Sequence, residues 1–226
     1  MISVIIPTLD AAAYLPACLS ALAPGAVAGL VKEVILADGG SIDATAAIAE
    51  AVGARLVTAP MGRGSQLAAG AAAARAPWLL FLHADTVLEA GWIARVETFL
   101  SRADCGAQAA YFRFAFDDPA FAARHAAFWV DVRCRLLALP YGDQGLLIGR
   151  RLYDAVGGYR PLPLMEDVDL VRRIGRARLQ RLDTIAVTSA AKYRRDGYLR
   201  RSLSNLALVA RFFAGADPAK LAKTYG

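Results

Sequence analysis

Hydrophobic positions fall in two rhythms. Up to residue 90, short β-branched or wholly apolar runs alternate with Ala/Leu-rich stretches. Residues 3–6 form a β-branched run closed by Pro7, which predicts a first strand. Residues 11–23 predict a helix and 31–37 a second strand, followed by a tight loop at 38–41. Residues 43–52 predict a helix closed by Gly53, and 54–58 a third strand. A Gly-Arg-Gly loop opens a helix over 62–76, and 78–82 is apolar throughout, as in the middle of a parallel sheet. This alternation predicts a doubly wound α/β sheet. Beyond residue 90 it weakens. The pattern there predicts helices at 91–102, 119–139, 151–156 and 166–176, and strands at 107–116, 146–149 and 179–188. Terminal helices follow at 197–215 and 218–225. The sequence has no internal repeat or low-complexity linker, so a single domain is expected over 1–226.

Composition changes the picture in one respect. With 57% apolar and 20% charged residues the chain has ample material for a packed core, which excludes a disordered class. The net charge of +6 is unevenly spread: residues 172–226 hold 13 basic and 3 acidic side chains, residues 1–171 hold 13 and 17. A phosphate-bearing or membrane-surface partner is therefore to be sought at the C-terminal quarter. Cys18, Cys105 and Cys134 lack paired spacing, so neither a disulfide framework nor a zinc site follows, and reducing cytoplasm is the expected compartment. The N-terminus lacks a basic leader, and no apolar run reaches the ~20 residues that span a bilayer.

Open parallel sheets bind ligands beyond the carboxyl ends of their strands. Those ends carry Thr8 and Asp10, then Asp38, Gly39, Gly40, Ser41 and Asp43, then Arg63 and Gly64, then His83, Ala84, Asp85 and Thr86. Each set alone could be ordinary loop and capping residues. Together they put hydroxyls, carboxylates, a guanidinium and an imidazole on one rim, the makings of a ligand site. The apolar strand before His83-Ala84-Asp85 delivers a carboxylate abruptly to solvent, which suits a hard divalent cation bridging phosphate oxygens.

These residues resemble the family-2 glycosyltransferases, inverting enzymes of the GT-A fold. The resemblance is carried by residues 3–8 with Asp10, by Asp38-Gly39-Gly40-Ser41-Ile42-Asp43, by His83-Ala84-Asp85 at the family's Asp-x-Asp position, and by Glu166-Asp167-Val168-Asp169 at its late acidic motif. Gly142-Asp143-Gln144-Gly145 and the basic Tyr-containing segment 192–197 are similar to small bacterial stand-alone members of largely unassigned substrate. The fold implied is α/β of GT-A type, a doubly wound, mostly parallel sheet with flanking helices and a helical C-terminal segment. Residues 1–90 would be a nucleotide-binding half, 91–190 an acceptor half and 191–226 a basic helical tail.

The resemblance also implies roles. Pro7, Thr8, Asp10, Asp38, Gly40, Arg63, His83 and Ala84 would contact the donor nucleotide. Asp85, with His83, would hold Mn²⁺ or Mg²⁺ on the diphosphate. Asp167 would deprotonate the acceptor hydroxyl, with Glu166 beside it. Asp143, Gln144, Lys192, Tyr193 and Arg195 would meet the acceptor or diphosphate. The donor would be a UDP- or GDP-linked sugar and the acceptor an alcohol, lipid-linked acceptors included. A homo-oligomer and peripheral contact with the inner membrane face stay open, and nucleic acid is not an expected partner.

Two departures stand out. Gly39 occupies the place of the usual second acid after strand two, and His83 that of the first metal-motif acid. Both keep open a degenerate transferase that binds nucleotide sugar without turnover. A sugar-phosphate nucleotidyltransferase would carry a Gly-rich basic loop after strand one, where Pro7-Thr8-Leu9-Asp10 stands, and a dehydrogenase would carry Gly-x-Gly-x-x-Gly. The stripe Phe121, His125, Phe128 and Trp129 is expected to be core or a subunit contact, and Leu206, Val209 and Phe213 have core spacing.

Overall fold

The computed structural model describes residues 1–224. The strands are β1 (Ile2–Thr8), β2 (Val31–Asp38), β3 (Arg55–Thr58), β4 (Trp78–Phe81), β5 (Thr86–Leu88), β6 (Ala109–Phe116), β7 (Leu146–Gly149) and β8 (Leu179–Thr188). The helices are α1 (Leu15–Val27), α2 (Thr45–Ala51), α3 (Arg63–Ala73), α4 (Trp92–Leu100), α5 (Phe121–Leu137), α6 (Arg150–Ala155), α7 (Glu166–Ile174), α8 (Ala191–Asp196), α9 (Tyr198–Phe213) and α10 (Pro218–Thr224). Tyr225, the last residue of the expected terminal helix, lies outside the described residues.

One sheet runs β3-β2-β1-β4-β7-β6-β8-β5. The pairings β2–β3, β1–β2, β1–β4 and β6–β8 are parallel, while β7 is antiparallel to both β4 and β6 and β5 is antiparallel to β8. The sheet is thus mixed and mostly parallel. The period-2 geometry of strands divides its core. Ile2, Val4 and Ile6 of β1 join Leu80 and Leu82 against α1 and α4. Ile5, Leu79 and Phe81 face the other way, onto α3, α6 and α7. A third cluster seats Leu208, Val209 and Leu221 of the tail helices on Val168 and Val171 of α7.

Helix α7 owes its place to its sequence. Glu166, Asp167 and Asp169 fill its first turn and Arg172 and Arg173 its last, each complementing the helix dipole. Helix α1 starts at Leu15 rather than residue 11, because Asp10 takes a left-handed backbone (φ 49°) and a turn follows. It runs on through Pro24 to Val27, since a proline in the last turn removes only one helical bond. β5 and α8 are not foreseen by the sequence pattern. Among the described residues no helix is long and apolar enough to cross a membrane.

The aromatic stripe of α5 is not core. Phe121, Phe128 and Trp129 are exposed, and His125 stacks on Phe121 and accepts a hydrogen bond from Trp129 Nε1 at 3.2 Å. Of the core-spaced α9 residues only Val209 is buried, while Leu206 and Phe213 face outward. Both helices therefore have one more apolar face than the fold uses.

Candidate functional site

The strand ends form two neighbouring structures. At the ends of β1 and β2, Asp38 accepts hydrogen bonds from Thr8 Oγ1 (2.9 Å), the N–H groups of Gly40 (3.0 Å) and Ser41 (2.8 Å), and the Ser41 hydroxyl. Burial pushes its carboxyl upward, but these donors outweigh burial and hold it below the usual range. Asp10 Oδ1 accepts from the Ile42 N–H and Asp43 Oδ2 from the Ala12 N–H, lacing the two loops together. Gln66 locks them from beneath, its amide donating to the carbonyls of Thr8 (2.6 Å) and Ala37 (3.0 Å). The loop sequence does not display this reach back to two strand ends.

Next to this rim lies a cleft that encloses about 910 Å³ with its open mouth. Arg63, His83, Asp85, Asp143, Asp167, Lys192 and Tyr193 converge on it. Arg133, Tyr141 and Thr188 also line it and were not foreseen. The topology explains the convergence. β4 ends beside the start of β7, Phe81 facing Leu146, so the turn ahead of β7 meets the loop after β4. Gly142 in that turn is pressed on His83: a Cβ there would stand 2.5 Å from Nε2. The Gly142 N–H donates to Asp167 Oδ2 at 2.7 Å, while the Val168 N–H donates to Oδ1.

The cleft's charges are strongly perturbed. Burial pushes His83 down to about 3, with Arg63 and Lys192 adding to it, so the imidazole is neutral. Burial raises Asp85, against the pull of Lys192. Burial raises Asp143 to about 6, and its Oδ1 is enclosed with no hydrogen-bond partner. Glu166 is wholly buried behind the cleft wall, 3.0 Å from Arg63 Nε, and burial raises its carboxyl to about 7. Such an orphaned carboxylate and a shifted cluster mark a place shaped for a ligand rather than for stability.

Several expected residues lie elsewhere. Pro7, Thr8, Asp10, Asp38 and Gly40 belong to the rim, outside the cleft lining, as does Ala84. Gln144 is turned inward. Its amide donates to Phe112 O at 3.1 Å, and its oxygen accepts from Arg133, Cys134 and the Tyr141 N–H. That inward bonding removes it from the acceptor contact assigned to it. Arg195 is also displaced: it is exposed, pairs with Asp196 at 2.7 Å, and lines a second pocket with Arg200 and Ser204. Lys192 and Tyr193 stand on the short helix α8, and the Tyr193 ring packs on Phe116. Among the described residues no three His, Cys, Asp or Glu side chains are grouped to hold a metal ion by themselves.

The family model described as Glycosyl transferase family 2 matches residues 3–162. Among curated proteins, a "PGL/p-HBAD biosynthesis glycosyltransferase" of Mycobacterium bovis and another of Mycobacterium tuberculosis are each 42% identical over 114 residues. The match takes in 44% of this chain and spans only 41% of each relative's length. Among solved structures, glucosyl-3-phosphoglycerate synthase from Mycobacterium tuberculosis, in complex with Mn²⁺, UDP and glucosyl-3-phosphoglycerate, superposes with a TM-score of 0.58. It is 21% identical and the match covers 91% of this chain and 78% of that one. S. aureus TarS 1-349 superposes with a TM-score of 0.63 at 15% identity, over 92% and 63% of the two chains. A second TarS structure holds UDP-GlcNAc. At these identities the structural likeness establishes a shared GT-A-like fold.

Proposed function

The chain belongs to glycosyl transferase family 2, and from that premise we propose that it moves a sugar, with inversion, from a nucleoside-diphosphate sugar to an acceptor hydroxyl. The observation that carries this reading is the meeting of Asp85, Asp143 and Asp167 with Arg63 and Lys192 in one cleft. Inversion needs a single base opposite the leaving group, and the leaving diphosphate needs its charge neutralised.

Asp167 is the proposed base. Both its oxygens are held by backbone N–H groups, which fixes the direction in which a lone pair meets the acceptor hydroxyl. Glu166 supports rather than reacts: it is buried away from the cleft and anchors Arg63 at the mouth of α3. Arg63 and Lys192 face the diphosphate, and Asp143 the acceptor or the sugar. Thr8, Asp10, Asp38 and Gly40 shape the wall against which the nucleoside rests. In this reading residues 1–90 serve the donor, 91–190 the acceptor, and 191–226 close the cleft from the tail.

A divalent cation fits this donor set in one way. Asp85 would offer it a half-buried carboxylate and His83 a neutral imidazole, with phosphate oxygens and water left to complete the shell, a pattern that suits Mg²⁺ or Mn²⁺. Such an ion would neutralise charge on the leaving diphosphate. Support comes from the Mn²⁺ and UDP in the mycobacterial synthase structure.

The test is calorimetric titration of UDP, GDP and TDP, each with Mn²⁺ and with chelator, followed by release of nucleotide from the matching sugar donor. Metal-dependent binding of one nucleotide, with release stimulated by an added alcohol, is expected. Absence of binding by all three would overturn the proposal. Binding without release under any acceptor would favour the degenerate, nucleotide-sugar-binding reading that Gly39 and His83 keep open.

A further inference from the structure

Helices α5 and α9 wall the cleft with their inner sides and leave their outer sides uncovered. On α5, Val130 and Arg133 line the cleft and Ala123 and Cys134 are buried. At 100° per residue the opposite side carries Phe121, Phe128, Trp129 and Leu136, with Phe121 74% and Trp129 56% exposed. On α9, Asn205 and Val209 line the cleft, and Leu199, Leu203 and Leu206 look outward, Leu199 being 74% exposed. The two helices pack side by side. Two exposed apolar stripes on neighbouring helices at a cleft's edge are more than scattered surface hydrophobicity.

Charge selects the occupant. Arg124 and Arg135 flank the α5 stripe, Arg200 and Arg211 flank that of α9, and Lys220 and Lys223 follow on α10. These cations are exposed, with Arg135 paired to Asp131 at 2.8 Å. The segment 172–226 as a whole holds 13 basic and 3 acidic residues. A Trp/Phe/Leu stripe between arginines is the build of a helix lying in a membrane interface, its rings at the acyl boundary and its guanidinium groups among lipid phosphates. A symmetric pairing of two copies through this face would set the same basic segments against each other.

We propose that the outer faces of α5 and α9 dock on a bilayer containing anionic phospholipid. The docking rests on no step of the transfer chemistry. It does place the walls of the cleft at the lipid–water boundary, within reach of hydroxyls borne on lipid headgroups.

The experiment is co-sedimentation of the full chain with vesicles of phosphatidylcholine alone and of phosphatidylcholine with phosphatidylglycerol, at low and high salt. Binding at least about tenfold tighter to the anionic vesicles, weakened by salt, is expected. W129S/L203S should lose at least about tenfold of that binding, and R200E/R211E its preference for anionic vesicles. Both pairs are exposed or at the surface stripe, so melting temperature and nucleotide titration serve as controls for folding and for the site. No binding to either vesicle overturns the proposal, as does a dimer in sedimentation velocity that W129S/L203S dissociates, which would make the face a contact between copies. Normal nucleotide binding in either case would leave the transferase reading standing.

Discussion

Replacing Asp143 by Asn removes a charge that the fold holds at a cost. Oδ1 of Asp143 is enclosed without a partner, and burial raises the carboxyl from 3.8 to about 6, with Arg133 pulling it down and Asp167 and Asp85 pushing it up. A displacement of this size corresponds to about 3 kcal/mol between the two protonation states. The sign follows from the direction. The folded state binds this proton more tightly than the unfolded chain. Its stabilising contribution is complete below pH 3.8 and is lost as pH rises through about 6. At pH 8 the parent therefore bears the whole penalty and Asp143→Asn none. The variant should be more stable there by up to about 3 kcal/mol, and the difference should close as pH falls from 6 to 4. Urea midpoints of both proteins across that range, with chelator and without nucleotide, measure it. A difference independent of pH, or a variant less stable at pH 8, would refute the claim that this carboxylate lacks a partner. A group kept ionised at such expense is explained by what it binds, so the stabilised variant should also lose transfer activity.

Three further outcomes are expected. Asp167→Asn should lower kcat by roughly 10²–10⁴-fold while donor titration stays within about twofold, since the base acts on the acceptor; full turnover would remove Asp167 from that role. Asp85→Ala should abolish the gain in nucleotide affinity given by Mn²⁺, and an undiminished gain would mean that the ion is held elsewhere. Gly64→Ala should destabilise the protein by about 1–3 kcal/mol in thermal melts, because its Cβ would stand 2.3 Å from Arg160 O and 2.7 Å from Leu162 O, both backbone atoms. An unchanged melting temperature would show that the chain ahead of α7 yields freely.

Much of the fold is legible in the sequence where one residue type decides the matter. Strands β1 to β4 and β6 to β8 lie within two residues of their predicted limits, most plainly β1, β4 and β7, which are short apolar runs beside a Pro or Gly. β5 is not legible: three residues carry no period, and its partner β8 is about a hundred positions away. α8 is hidden by its charges, which alone read as a basic loop. The acidic residues of the cleft were visible as strand-end and helix-start carboxylates. The fate of Gln144 was not, since its partners Phe112, Arg133 and Cys134 come from two other elements. The spacing of Phe121, Phe128 and Trp129 looks the same whether the stripe meets a core or open water; only the packed structure separates the two.

The β5–β8 pairing also has a kinetic consequence. Strands β1 to β4 are neighbours in sequence as well as in the sheet and can assemble within the first 81 residues. Asp85, however, sits between β4 and β5, where the Ser189 N–H bonds its carbonyl and Thr86 faces Thr188. That clasp closes a loop of about a hundred residues, far longer than those joining β1 to β4, at a higher cost in chain entropy. During refolding the strands that hold the nucleoside should therefore form before the carboxylate that meets its phosphates is set, so recovery of metal-dependent nucleotide binding should lag recovery of circular dichroism; simultaneous recovery would show that the sheet closes in a single step.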